Sequence, residues 1–117
     1  LNIDNDDALQ EAFTRISELG VPVAVHAEDK ALLTANEERL KRANRHDALA
    51  FLKAHSETVE LKAVKRLLEI NAQVGARLHF CHMTTESGLN AVVEAKKSGA
   101  NVTCEVTPHH LLLSKAD

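Results

Sequence analysis

The sequence predicts an α/β fold in which short parallel strands alternate with helices. Three observations predict it. Gly20, Gly75 and Gly99 each close a helical apolar pattern and open a β-rich run. Each run then ends in residues with chemistry to offer: His26, His82, and the stretch from Glu105 to Thr107. Finally, the runs are separated by helix-length segments rather than tight turns, and strands joined that way lie parallel with the helices packed outside.

Taken in order, residues 6–19 read as an amphipathic helix. Leu9, Ala12, Phe13, Ile16 and Leu19 share one stripe. Asp4, Asn5, Asp6 and Asp7 supply cap candidates and negative charge at its start. Residues 21–26 are short and β-branched, and read as a buried strand, with Pro22 tolerated near its beginning. Residues 30–43 read as a helix on Leu32, Leu33, Ala35, Leu40 and Ala43, followed by a break at 44–47 and a short helix over 48–54. Ser56 is the cap candidate for a longer helix to Val74, with Val59, Ala63, Leu67, Ile70 and Val74 as its buried stripe. A second strand covers residues 76–82. Thr84 or Thr85 caps a helix over 86–98, with Leu89, Val92 and Val93 buried. A third strand spans 101–106, Pro108 breaks it, and residues 109–113 lead away.

A chain of 117 residues is one small domain or a piece of a larger one. Its net charge of −3 argues against a nucleic-acid partner, which requires a basic surface. Without Trp or Tyr, and with three Phe, the core rests on Leu, Val, Ile and Ala, and stacking on single strands is disfavoured. No apolar stretch approaches the roughly 20 residues that span a bilayer, so no membrane partner is expected. Leu1-Asn2-Ile3-Asp4 has neither the basic region nor the apolar core of a signal peptide, and the missing initiating Met leads to an expectation of sequence upstream. Two cysteines make no disulfide framework, and a cytoplasmic location is expected.

Functional groups of parallel α/β folds gather at the carboxyl ends of the strands, where His26 and His82 stand. Alternation puts Pro22, Ala24 and His26 on one face and Val21, Val23 and Val25 on the other. The Val face belongs against helices, which leaves His26 toward a crevice or barrel interior. In the second strand Leu78, Phe80 and His82 share a face, opposite Arg77, His79 and Cys81. Two imidazoles converging from neighbouring strand ends are a donor set for Zn²⁺; the alternative is a hydrogen-bonded pair without metal. A third ligand is not evident. Glu28 and Asp29 read as helix-start carboxylates. His79 is expected under the outer helices, sharing no metal with His82, and His46 and His55 at the surface. His109 and His110 are either substrate contacts or a solvent-facing pair. Glu105 alternates inward with Thr103 and Thr107, so it needs a partner or sits near the site. Cys81 and Cys104 read as small buried residues, and a Cys/His nucleophilic pair on one strand is poorly placed. No nucleotide-binding loop, nucleophile elbow or H-E-x-x-H is present.

Three strings carry a family resemblance. Val23-Ala24-Val25-His26-Ala27-Glu28-Asp29 resembles the strand-five segment of dihydroorotases. Arg77-Leu78-His79-Phe80-Cys81-His82-Met83-Thr84-Thr85, with Gly88-Leu89, resembles their strand six. Val102-Thr103-Cys104-Glu105-Val106-Thr107-Pro108-His109-His110-Leu111 resembles their strand seven, and favours dihydroorotase over the related allantoinases and hydantoinases. The resemblance implies that residues 1–117 form a single fragment of an amidohydrolase barrel domain, part of a (β/α)8 TIM-type barrel. It implies a zinc enzyme, with two metals per intact site, that interconverts dihydroorotate and N-carbamoyl-aspartate in pyrimidine biosynthesis. His26 and His82 would be ligands of one metal, with Glu105 and His109 near the site. The family's first-strand H-x-H pair, fourth-strand bridging residue and eighth-strand aspartate have no counterpart here, so no catalytic residue is expected within this chain. Isolated, it is expected to be inactive and to associate with itself or with complementing barrel segments. The competing reading is a non-catalytic α/β interaction or scaffold module.

Overall fold

The computed structural model describes residue 3 and residues 5–114. Asp4, one of the cap candidates, lies outside them. Three strands, β1 (Val23–Val25), β2 (Leu78–Phe80) and β3 (Val102–Cys104), form one parallel sheet in the order β1-β2-β3. Val23, Leu78 and Val102 stand side by side across it, as do Val25, Phe80 and Cys104. Six helices complete the described chain: α1 (Asp6–Glu18), α2 (Lys30–Arg42), α3 (Ala48–Ala54), α4 (Glu57–Val74), α5 (Glu86–Lys97) and α6 (Pro108–Leu112).

Local chemistry sets most of these boundaries. Asn5, Asp29, Asp47 and Thr85 each cap a helix by accepting a hydrogen bond from the backbone N–H three residues on. Gly75 ends α4 in the left-handed region at φ 74°, a conformation that costs other residues a steric penalty. Asn71 fixes the turn that follows. Its amide donates to the Ala76 carbonyl and accepts from the Ala76 N–H, both at 2.9 Å, so the buried side chain is satisfied and the chain is aimed into β2.

One face of the sheet is dry. Val23, Leu78, Phe80 and Val102 pack there against Leu9 and Phe13 of α1, Ala63, Val64, Leu67 and Ile70 of α4, and Val92 of α5. The opposite face, carrying Ala24, His79 and Thr103 across one register line, is open. That corrects the expected place of His79. Its neighbours Leu78 and Phe80 take the helix side, so alternation sends His79 to the open face. α2 buries none of its residues, and its stripe is only partly covered. Within α5 the stripe is rotated by about one residue from expectation. Gly88 and Val92 face the core, whereas Leu89 and Val93, some 100° further round, are exposed. Leu19, expected in the stripe of α1, is its exposed C-cap. Residues 108–112, expected only to lead away, form α6, which begins on Pro108 at a position where proline's missing N–H costs nothing.

No helix among the described residues is long and apolar enough to cross a membrane.

Candidate functional site

His26 and His82 meet at the carboxyl ends of β1 and β2. His26 Nδ1 and His82 Nε2 are 2.5 Å apart, with ring centroids 4.7 Å apart and planes tilted by 38°. Simple alternation does not produce this meeting, because it would send His82 to the helix side with Phe80. The backbone shows what happens instead. Cys81 donates its N–H to Val25 of β1 (2.9 Å), but Met83 donates to Glu105 beyond β3 (2.8 Å). Residues two apart in a regular strand donate to the same side, so the chain slips by one residue between them. His82 sits at the slip, with φ 41°. A β-carbon makes that region unfavourable, and such strain collects where a side chain must be aimed. Met83 then takes the buried place, and His82 is released toward His26.

Both site loops hang on the first turns of α4. The loop after β1 is held by the Asp29 N–H, which donates to the Val59 carbonyl (3.2 Å), and by an Asp29–Lys62 ion pair (2.9 Å). The Lys62 hydrogen bond holds the Asp29 carboxyl below its usual range against the opposing effect of burial, helped by the Leu32 N–H and Arg66. The loop after β2 is held by Glu60. One carboxylate oxygen accepts from the Thr84 N–H (3.0 Å) and hydroxyl (2.7 Å); the other accepts from the Thr85 N–H (3.0 Å) and hydroxyl (2.6 Å). Glu60 is buried, and these bonds satisfy it. Nothing in a helical stripe of Val59, Ala63 and Leu67 marks Glu60 as functional. The available signal was a carboxylate one position from an apolar stripe, facing a Thr-Thr pair elsewhere in the sequence.

The other candidates fall as follows. Asp29 is the helix cap it was read to be, while Glu28 instead pairs with His55 Nδ1 at 2.7 Å. His55 is therefore not a plain surface residue; it is partly covered and stacks on Phe51. His46 is exposed. Glu105 lies on the open side with its partner, His79 Nε2, at 3.4 Å. His109 and His110 are both exposed, stack on one another, and share the Thr107 hydroxyl. Of the two, His110 lines the open cleft that also receives Glu28, His55, Glu60 and His82. Partial desolvation, then the nearby His109 and His82, push the His110 pKa down, with Glu60 opposing. Cys104 packs on the edge of the core, where burial raises its thiol pKa. Cys81 is only partly covered, so neither cysteine is fully buried as expected.

The histidine pair suits a metal ion. Two imidazole nitrogens bound to one tetrahedral zinc lie about 3.3 Å apart, given Zn–N bonds of about 2.0–2.1 Å. The rings need only part by less than about 1 Å to accept one. The geometry supplies two ligands, short of the three protein ligands of most catalytic zinc sites.

No family model matches the sequence. The chain is 34% identical over 109 residues to the allantoinases of Escherichia coli O1:K1 / APEC and of Escherichia coli O139:H28 (strain E24377A / ETEC), covering 93% of this chain and 24% of each allantoinase. Its fold matches an L-hydantoinase (dihydropyrimidinase) from Arthrobacter aurescens with a TM-score of 0.94 at 27% identity, over 99% of this chain and 26% of that one. A D-hydantoinase matches with a TM-score of 0.93 at 26% identity, over the whole of this chain and 26% of that one. The chain thus spans about a quarter of the length of these relatives. Its relatives are cyclic amidohydrolases, and its three parallel strands with their helices have the fold of part of a TIM-type barrel.

Proposed function

We propose that this chain contributes strands five to seven of a zinc-dependent cyclic amidohydrolase, and that His26 and His82 are ligands of one of its metals. The observation that carries this reading is the convergence of the two rings, achieved through a strained backbone at His82. When bound, zinc supplies Lewis acidity, polarising a ring-amide carbonyl and acidifying water. The chain's own contribution is to aim two imidazoles and to line one wall of the cleft with Glu28, His55 and His110. Two free cysteines fit a cytoplasmic protein.

Within that class the substrate reading is dihydroorotate, carried by the resemblance of residues 102–111 to strand seven of dihydroorotases. A second reading, allantoin, is favoured by the 34% identity to allantoinases. Both substrates are small cyclic ureides, so one metal centre suits either. Binding of each to the zinc-loaded chain separates them: tighter dihydroorotate binding supports the first, tighter allantoin binding the second. The metal role is tested by calorimetric zinc titration of the wild type and of a His26→Ala/His82→Ala variant, with the fold checked by circular dichroism. The variant is expected to bind one zinc equivalent fewer. A folded variant that binds as much zinc as the wild type overturns the assignment. The 117 residues alone are expected to open neither ring, and turnover abolished by His26→Ala would refute that.

A further inference from the structure

Residues 30–54 leave the body of the protein and return to it as a pair of helices, α2 and α3. The pair is held largely from within. Asn36 Nδ2 of α2 donates to the Ala54 carbonyl of α3 (3.1 Å). Ala50 and Ala54 are buried, outside the apolar cluster that covers the sheet, and α2 buries none of its residues. The excursion starts from Asp29 and ends at His55. Glu28 Oε1 and His55 Nδ1 meet across its neck at 2.7 Å. We propose that His55 is a positioning residue: it closes the neck of the α2–α3 pair and, through Glu28, fixes the loop that carries His26.

His55 is set for this by its own helix. It is the C-cap of α3, its N–H donates to the Phe51 carbonyl (3.1 Å), and its ring stacks on Phe51 with centroids 4.2 Å apart. With the ring so held, Nδ1 meets Glu28. An ionised carboxylate only accepts, so the proton of this bond sits on Nδ1.

The contact reaches His26 because the chain between them has no slack. The Glu28 N–H donates to the His26 carbonyl (3.2 Å), and Ala27 between them is buried in the sheet core. A shift at Glu28 therefore moves the His26 backbone. Next to it, the Asp29 N–H donates to the Val59 carbonyl (3.2 Å), and the Asp29 carboxylate pairs with Lys62 (2.9 Å). These bonds already bring the two sides of the neck together. The Glu28–His55 bond then costs little further closure entropy and acts with them as one unit. Groups that orient a metal ligand from outside the ligand set tune metal affinity; that step rests on the zinc reading of His26 given above.

Amide exchange of the zinc-free chain, followed by NMR, reads the neck directly, with the Asp29 amide as reporter because it is bonded across the neck. His55→Phe keeps a stacking ring and removes the donor. Glu28→Ala removes the acceptor. Both side chains are partly exposed, and circular dichroism checks the fold. Each variant is expected to speed Asp29 exchange by about 10-fold, the factor that one lost hydrogen bond to a charged group corresponds to. The double variant is expected to exchange no faster than either single one. His55→Asn keeps an N–H near the Nδ1 position and is expected to restore most of the protection. In zinc titrations His55→Phe and Glu28→Ala should bind about 10-fold more weakly, the low end of the cost of losing an outer partner, and His55→Asn should recover. Unchanged Asp29 exchange in folded His55→Phe, or additive effects in the double variant, overturns the clasp. Lost protection with undiminished zinc affinity overturns the positioning role. A wild type that binds no zinc overturns the metal assignment instead, while the exchange series still decides whether His55 holds the loop.

Discussion

Glu60 grips Thr84 twice, through the backbone N–H at 3.0 Å and the hydroxyl at 2.7 Å. Its other oxygen does the same for Thr85. The four bonds tie the turn that follows His82 to the first turns of α4, the helix that also holds the His26 loop through Val59 and Lys62. One helix end therefore sets the spacing of two side chains 56 positions apart in sequence. Replacing Glu60 with Gln turns one acceptor oxygen into an amide NH2 donor facing two donors. The expected cost is about 2 kcal/mol in urea unfolding, from unmade hydrogen bonds to a charged acceptor. Zinc affinity at the His26–His82 pair should fall with it. A Gln variant as stable and as zinc-avid as the wild type would show that the carboxylate is not what holds the turn.

The same bracket makes Gly88 unusual among helix glycines. An added β-carbon would come within 2.7 Å of Glu60 Oε1 and of Met83 Cε, and 2.9 Å of Thr85 Oγ1. That hydroxyl already donates to Glu60 and accepts from the Gly88 N–H, so it has no free direction in which to yield. Gly88→Ala in an ordinary helix interior stabilises by roughly 1 kcal/mol. Here overpacking of about 1–3 kcal/mol should outweigh that gain, so a net loss of stability is expected. A raised melting temperature in Gly88→Ala would mean that the contact relaxes freely and that the bracket is loose.

Helices and strands were legible in the sequence because their signals are local: the Gly75 stop, the Thr85 cap, the start of α4 after Ser56 (whose hydroxyl bonds to Thr58 rather than capping the helix), and the Val59–Ala63–Leu67–Ile70 stripe are each written in neighbouring residues. The strand-end positions of His26 and His82 were legible for the same reason. What was not legible depends on a one-residue change of phase. The slip at His82 reverses the face predicted by alternation, and the rotation of α5 exposes Leu89 and Val93. Contacts between distant segments were hidden too. Glu60 with Thr84 and Thr85, and Glu28 with His55, pair residues whose charges alone suggest only solvated surface.

Acid should loosen the His26 loop first at Asp29. Its folded-state pKa lies below the ordinary value of 3.8, chiefly through the Lys62 hydrogen bond. Between the two values the unfolded chain binds more protons than the folded one, so stability rises with pH across that window. The contribution is complete above the unfolded value, near 4, and is lost as pH falls through the lower folded value. Asp29→Asn and Lys62→Met should both flatten the stability profile below pH 4, measured by urea midpoints. An unchanged acid limb in both variants would place the titrating group elsewhere.

The sheet leaves β1 and β3 with unpaired edges. Leu111, Leu112 and Leu113, in and just after α6, add apolar surface, with exposures of 70%, 80% and 62%. Unprotected edges and contiguous exposed leucines drive association. Parallel barrel strands are stable only when paired on both sides, and the partner available to the isolated 117 residues is a second copy. Native mass spectrometry and sedimentation are therefore expected to show dimers or larger species. Leu111→Lys/Leu112→Lys should shift the distribution toward monomer without unfolding the core, because neither leucine belongs to the buried cluster. A compact wild-type monomer at all concentrations would mean that the edges are closed by the chain's own loops, and would remove the case for complementing strands.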